Sequence, residues 1–124
     1  MMVSFDTNVL VQATLPAPLS KTTRARDLVV RGMRTEGNIL LLQTLAEFSN
    51  AAIRKAGIAI DDIRTMIDAW RAVLPVQGTE DGDLSAALDP MKKHRFAFWD
   101  AMLWAAARRA GVRYLPTEDL QAWL

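Results

Sequence analysis

The residues of this sequence that could act together chemically are four carboxylates, which the predicted order of strands and helices brings to one edge of a sheet. Two carboxylates about 4 Å apart repel each other by roughly 4 kcal/mol at an effective dielectric constant of 20. A cluster of four therefore needs a bound cation or protons to persist, and a divalent metal ion is the simplest such cation. The four residues are Asp6, Glu47, Asp100 and Asp119.

The elements that would position these carboxylates alternate between strand and helix, which predicts an α/β fold with a mainly parallel sheet. Short apolar runs predict the strands, and apolar residues at helical spacing predict the helices. Glycines at 37, 57 and 111 mark helix ends. The predicted strands are 2–5, 39–42 and 112–115, with a further short one at 73–76, and the predicted helices are 21–34, 44–56, 61–74, 83–93 and 99–110.

Such a fold would bring the four carboxylates together. Ligands of parallel sheets bind beyond the carboxyl ends of the strands, and Asp6, Glu47 and Asp119 each come shortly after such an end. Asp100 begins the helix that precedes the last strand. Because a right-handed crossover runs a helix antiparallel to its strand, this helix starts at the same edge. We therefore expect all four side chains at that edge.

Each carboxylate taken singly also has a purely structural interpretation. These interpretations leave open why four capping acids fall on one edge, although strand-to-helix junctions do gather at edges. The coincidence favours a site. The structural alternatives are a capping box for Thr44-x-x-Glu47, a helix-dipole role for Asp100, an Asx turn for Asp6 with Asn8, and a first helical turn capped by Thr117 for Asp119.

Composition predicts a single globular domain spanning residues 1–124. Hydrophobic residues make up 51% and charged residues 23%, and the net charge of +1 gives no global field that would attract nucleic acid. The absence of cysteine excludes disulfides, thiolate zinc sites and cysteine nucleophiles. The start of the chain is unlike a signal peptide, and no apolar run is long enough to span a membrane. We expect a cytoplasmic protein.

Other chemistry-bearing patterns are weaker. His94, the single histidine, lies in the basic run Lys92-Lys93-His94-Arg95 and is expected to be a solvated loop residue rather than a ligand or base. Because the run lies just before Asp100, it could hold a phosphate backbone. The sequence has no glycine-rich phosphate loop.

Two helices carry specific packing predictions. Apolar spacing in the helix 83–93 places Leu84, Ala87, Leu88 and Met91 on one side of it. The segment 101–107 is apolar all round, so it should be buried on several sides or covered by a partner.

Four motifs together resemble the PIN-domain family and, within it, the VapC-type toxins of bacterial toxin-antitoxin pairs. The motifs occur in the family's order and spacing over nearly the whole chain. The resemblance implies a Rossmann-like α/β/α sandwich with a central, mainly parallel sheet, and a ribonuclease activity that depends on Mg2+ or Mn2+. The motifs are Val3-Ser4-Phe5-Asp6-Thr7-Asn8-Val9-Leu10, the helix of Glu47, Phe98-Trp99-Asp100-Ala101 and Leu115-Pro116-Thr117-Glu118-Asp119-Leu120.

The resemblance also implies roles for the matching residues and partners for the protein. Asp6 and Asp100 would be the principal metal ligands, and Glu47 and Asp119 would bind the metal directly or through water. Thr7, Asn8 and Thr117 would support the carboxylates from a second layer. The implied partners are an RNA substrate such as transfer or ribosomal RNA, a VapB-like antitoxin that inserts a segment into the acidic groove, and a second copy of the chain.

The sequence departs from the family pattern at its end. Many members continue past the Thr-x-Asp motif into a further strand, whereas this chain ends at Leu124, so we expect a missing edge strand and a loosened Asp119 loop. One competing interpretation is a catalytically weak PIN-fold module that chiefly binds an antitoxin. Another is a nuclease acting on DNA or flap structures, which the small size of the chain disfavours.

Overall fold

Helices and short strands alternate along the chain. The computed structural model describes residues 2, 4–5, 10–11, 19–116 and 121–123. No helix in these ranges is long and apolar enough to cross a membrane. In chain order the elements are α1 (Leu19–Arg34), β1 (Leu40–Leu41), α2 (Leu42–Ala56), α3 (Ile60–Arg71), β2 (Val76–Gln77), α4 (Asp81–His94), α5 (Phe98–Arg109), β3 (Tyr114–Pro116) and β4 (Gln121–Trp123).

The α/β class is confirmed, but the sheet in the described part of the chain is small. β1 and β2 pair in parallel, with Leu40 opposite Val76. The central sheet of an α/β/α sandwich stays a prediction. Residues 2, 4 and 5 of the predicted first strand are not in a strand, although the Arg113 amide donates a 2.8 Å hydrogen bond to the Met2 carbonyl. The first and last segments of the chain are therefore neighbours.

A strand follows the Asp119 region, so the prediction of a missing edge strand is wrong. β4 pairs antiparallel with β3, and Pro116 lies opposite Gln121. The three residues of β4 therefore form a strand after the Thr-x-Asp motif, where the sequence predicted none. Asp119 itself belongs to the connection 117–120, which lies outside the described residues.

β1 stands between two hydrophobic clusters. Successive side chains of a strand point to opposite faces. Leu40 accordingly packs in a cluster with residues of α1, α2 and α3, such as Val29, Phe48 and Ile63. Leu41 packs in the other cluster with Leu103 of α5. The strand thereby fixes α2 and α5 relative to each other.

Phe5 packs against α1 at a point where only glycine fits. Phe5 is fully buried, and a Cβ atom added at Gly32 would overlap its ring. The carbonyl of Gly32 accepts a 2.9 Å hydrogen bond from the buried Asn38 side chain, which helps to end the helix. The close approach positions the segment that leads into Asp6.

The apolar side of α4 is only partly buried. Ala87 is buried and Met91 is partly buried, but Leu84 and Leu88 of the same side are 50% and 54% exposed. The helix instead turns Asp83 toward the interior. An ion pair rather than an aliphatic contact therefore sets its rotation.

That ion pair joins the start of α4 to the end of α5. Arg109 donates from Nε to Asp83 Oδ1 at 2.8 Å and from Nη2 to Oδ2 at 3.1 Å, and also to the Gly78 carbonyl at 2.6 Å. Asp83 accepts a further bond from the Glu80 amide in a capping box. The hydrogen bond from Arg109 lowers the pKa of Asp83, and the same bond raises the pKa of Arg109. Both groups stay charged at neutral pH.

The apolar helix α5 is covered by the chain itself. Ala101 and Met102 pack with Ala87 of α4, while Leu103 and Ala107 pack with β1. The prediction that 101–107 is buried on several sides is confirmed. An antitoxin is not needed to cover this helix.

We predict that Asp83→Asn lowers the free energy of unfolding by about 2–3 kcal/mol at pH 7, because the partly buried guanidinium of Arg109 then keeps only the exposed Glu80 carboxylate, 3.3 Å away, as a counter-charge. The folded-state pKa of Asp83 lies below its unfolded-state value of about 4, so the stabilisation is complete above that pH and is lost as the pH falls through the folded-state pKa. Urea unfolding at several pH values measures both effects.

The matched control for this variant is Asp68→Asn. Asp68 pairs with Arg71 at 3.5 Å on the surface, where both side chains are well exposed, so its loss should cost no more than about 0.5 kcal/mol. Equal costs for the two variants would contradict the role given to the buried pair.

Candidate active site

Glu47 is tied to the beginning of α5 through one glutamine. Gln43 lies one turn before Glu47 on α2, and its Nε2 donates to Glu47 Oε1 at 2.6 Å and to the Trp99 carbonyl at 2.8 Å. The two acceptor oxygens are therefore no farther apart than the sum of these distances. Asp100 follows Trp99 directly, so two of the four predicted carboxylates belong to segments that share one amide donor.

Asp100 stands in the first turn of α5. Ala97 is the N-cap, which makes Asp100 the third helical residue, and its side chain is exposed. A carboxylate here is favoured by the positive end of the helix dipole. The same position leaves its oxygens accessible from solvent, as a metal ligand requires.

Thr44 does not form the predicted capping box with Glu47. The helix begins two residues earlier, at Leu42, and its N-cap residue Leu41 has no side-chain cap. Thr44 instead donates from Oγ1 to the Phe5 carbonyl at 2.9 Å, in a fully buried contact. Glu47 accepts from Gln43, so the structural interpretation of Thr44-x-x-Glu47 is wrong and α2 is linked to the residue just before Asp6.

A buried hydroxyl lies close to the same segment. Ser4 is fully buried, and its Oγ has no hydrogen-bond partner among the described residues. A buried polar atom without a partner costs about 1–3 kcal/mol, and such atoms are uncommon away from water, ions or functional sites. Ser4 precedes Asp6 by two residues.

Glu47 and Asp100 are the predicted site residues that the structure describes. The described residues contain no group of three acidic, histidine or cysteine side chains able to hold a metal ion. The roles of the remaining residues stay predictions. Those that lie outside the described residues are Asp6, Thr7, Asn8, Thr117 and Asp119.

His94 is exposed, as expected for a solvated residue. Its ring lies 6.1 Å from that of Phe96 in a tilted arrangement. It ends α4 and belongs to the basic segment that precedes Asp100.

The residue that sequence reasoning missed is Gln43. Its only signal is the spacing of four residues to Glu47, which places both side chains on one face of a helix. A neutral amide carries none of the chemistry that singles out carboxylates. Its second acceptor, the Trp99 carbonyl, is 56 residues away in the chain and has no sequence signature.

The α/β fold of this chain is shared with a solved toxin structure, which confirms the resemblance drawn from the motifs at the level of the fold. Among solved structures, the chain is similar to the Mycobacterium tuberculosis toxin VapC20, which cleaves the sarcin-ricin loop. The TM-score is 0.72 at 17% sequence identity, over 91% of this chain and 86% of that one. Neither protein-family models nor curated proteins give a match.

We predict that Thr44→Val lowers the free energy of unfolding by about 1–2 kcal/mol, because the buried Phe5 carbonyl loses its donor. Thr65→Val is the matched control. Thr65 donates to the Asp61 carbonyl at 3.0 Å on an exposed helix face, where water replaces the lost bond. Chemical denaturation of the two variants measures the difference, and a control as costly as Thr44→Val would contradict the assignment.

Proposed function

We propose that this protein is a metal-dependent endoribonuclease of the VapC type, which hydrolyses RNA phosphodiester bonds as the toxin of a toxin-antitoxin pair. The observation that carries the proposal is the pair of hydrogen bonds from Gln43, which holds Glu47 beside the start of the helix that bears Asp100. The fold shared with VapC20 supports the same conclusion.

The residues at this place fit a hard divalent cation. Glu47 and Asp100 offer carboxylate oxygens, the ligands that Mg2+ and Mn2+ prefer. Thr44 lies on α2, as Glu47 does, and donates a hydrogen bond to the carbonyl of Phe5. Asp6 is the next residue, one peptide unit away. The buried hydroxyl of Ser4 adds a polar atom nearby whose partner is unaccounted for among the described residues.

In this proposal Asp6 and Asp100 are the principal ligands, and Glu47 and Asp119 bind the metal directly or through water. Thr7, Asn8 and Thr117 orient the carboxylates. A bound Mg2+ or Mn2+ would lower the pKa of a water molecule and offset charge on the phosphate.

The chain's own part in the reaction is to hold these groups in place. The donor Gln43 fixes the direction of the Glu47 carboxylate through the hydrogen bond to Oε1. Asp100 lies at the positive end of the α5 dipole, a position that favours a carboxylate. No side-chain nucleophile is needed.

The proposed partners follow from the same resemblance. RNA is the substrate, with transfer and ribosomal RNA as the first to test, since the structural neighbour is a toxin that cleaves the sarcin-ricin loop. A VapB-like antitoxin would silence the site, and the chain would act as a homodimer.

Asp100→Asn is expected to reduce Mn2+-dependent cleavage of RNA by at least about 100-fold, because a metal ligand loses its charge. Purified protein is incubated with transfer and ribosomal RNA in the presence of magnesium, manganese or chelator. Calorimetric titration with Mn2+ alone should show weakened binding in the same variant.

The matched control is Asp62→Asn. Asp62 occupies the same third position in the first turn of α3 and is exposed, so it shares the capping role but not the site. Cleavage should be unchanged in this variant. A well-folded wild-type protein that binds Mn2+ and cleaves no RNA would instead favour the module that chiefly binds an antitoxin.

The positioning role of Gln43 predicts opposite effects for two substitutions. Gln43→Met removes both hydrogen bonds and should weaken Mn2+ binding about tenfold. Gln43→Glu places a second carboxylate beside Glu47, so it should lower the stability of the metal-free protein and strengthen Mn2+ binding. Titration calorimetry and thermal unfolding with and without Mn2+ measure both. If Gln43 merely joined two helices, both variants would lose stability and leave Mn2+ affinity unchanged.

A further inference from the structure

The largest exposed aromatic side chain in the described part of the chain stands beside the candidate site. Trp99 is 63% exposed, although a tryptophan side chain is usually well buried. It is the second residue of α5 and directly precedes Asp100. An apolar ring displayed next to the exposed carboxylate of Asp100 needs an explanation other than core packing.

The backbone and the ring of Trp99 are both held. Its carbonyl accepts the hydrogen bond from Gln43, which also binds Glu47. The Phe98 ring meets the indole at 4.9 Å between centroids, with the planes 77° apart. This edge contact supports one side of the side chain and leaves most of its surface open.

Positive charge lies immediately before this ring. Lys92 and Lys93 stand in the last turn of α4, and only Arg95, Phe96 and Ala97 separate α4 from α5. Arg95 adopts a left-handed backbone, with φ of 55°, which ends α4 and turns the chain. The three basic side chains are exposed, and Phe96 adds a second partly exposed ring.

We propose that the indole face of Trp99 is a stacking platform for an unpaired base of a single-stranded RNA, with Lys92, Lys93 and Arg95 on neighbouring phosphates. Aromatic rings interleaved with basic residues are the usual means of binding single strands, because every base offers a π face and every linkage a negative charge. The inference rests on the proposed function, and it specifies which RNA conformation the site accepts.

A second copy of this chain is a poorer occupant of the ring. A symmetric contact through Trp99 would bring the two basic runs of the copies toward each other, and like charges facing across an interface are unfavourable. A polyanion gains from the same arrangement.

The test measures binding without cleavage. Asp100→Asn protein with Mn2+ is titrated against a short, unstructured, fluorescein-labelled RNA and against the same sequence in a duplex, and anisotropy gives Kd. Adding Trp99→Leu should raise the Kd for the single strand roughly tenfold and leave the duplex Kd within about twofold, because one stacked base is lost. Trp99→Phe should restore most of the affinity.

Ile60→Ala in the same background is the control, because Ile60 is an equally exposed apolar residue on α3, at 64%. An unchanged single-strand Kd in Trp99→Leu would overturn the inference. The inference would also be overturned if Trp99→Leu changed the oligomeric state in size-exclusion chromatography without changing the RNA affinity. That result would assign the Trp99 ring to a contact with a second copy of the chain. If the wild-type protein cleaves RNA and the Trp99 variants bind and cleave RNA equally well, this inference alone is overturned. If the wild-type protein neither binds nor cleaves RNA, the proposed function is overturned as well.

Discussion

Two polar side chains in the first turn of α2 hold together the segments on which the site depends. Thr44 binds the carbonyl of Phe5, and Gln43 binds the carbonyl of Trp99 as well as the carboxylate of Glu47. Both backbone acceptors immediately precede a predicted metal ligand. Because α2 follows β1 without a loop, the strand fixes the position of the first turn of α2. The hydrogen bonds from this turn then fix the positions of Phe5 and Trp99.

The partners of the carboxylates separate structural acids from those suited to a metal. Asp83 is buried and matched by a guanidinium, so its charge is already neutralised within the fold. Glu47 accepts a hydrogen bond from a neutral amide, which orients the carboxylate. Asp100 is exposed at the positive end of a helix. The helix α5 thus carries an ion pair with α4 at one end and an exposed carboxylate at the other.

Much of the fold could be predicted from the sequence, because local signals determine it. The run of apolar residues in α5 correctly indicated burial on several sides, and Gly57 ends α2 in the left-handed conformation that the sequence suggested. Apolar spacing does not reveal the buried face of α4, where Leu84 and Leu88 are exposed and Asp83 is buried. The reason is an ion pair between residues 26 positions apart, and no local pattern predicts such a contact.

The site was predictable in part. Carboxylates after strand ends could be recognised by type, and the structure does bring the helix of Glu47 to the start of α5. The capping box was predicted wrongly, since Thr44 finds a tertiary acceptor that competes with the local one. Gln43 escaped notice because its role depends on a distant carbonyl. Polar residues that position others leave little trace in a single sequence.

The contact between Gly32 and Phe5 has a consequence for how this protein can vary. Only glycine, whose side chain is a hydrogen atom, leaves room at position 32 for the Phe5 ring. The carbonyl of Phe5 is the group that accepts the hydrogen bond from Thr44. A larger residue would displace the chain one peptide unit before Asp6. In a saturation mutagenesis experiment, this glycine would therefore be as intolerant of replacement as a metal ligand, although it contributes no functional group.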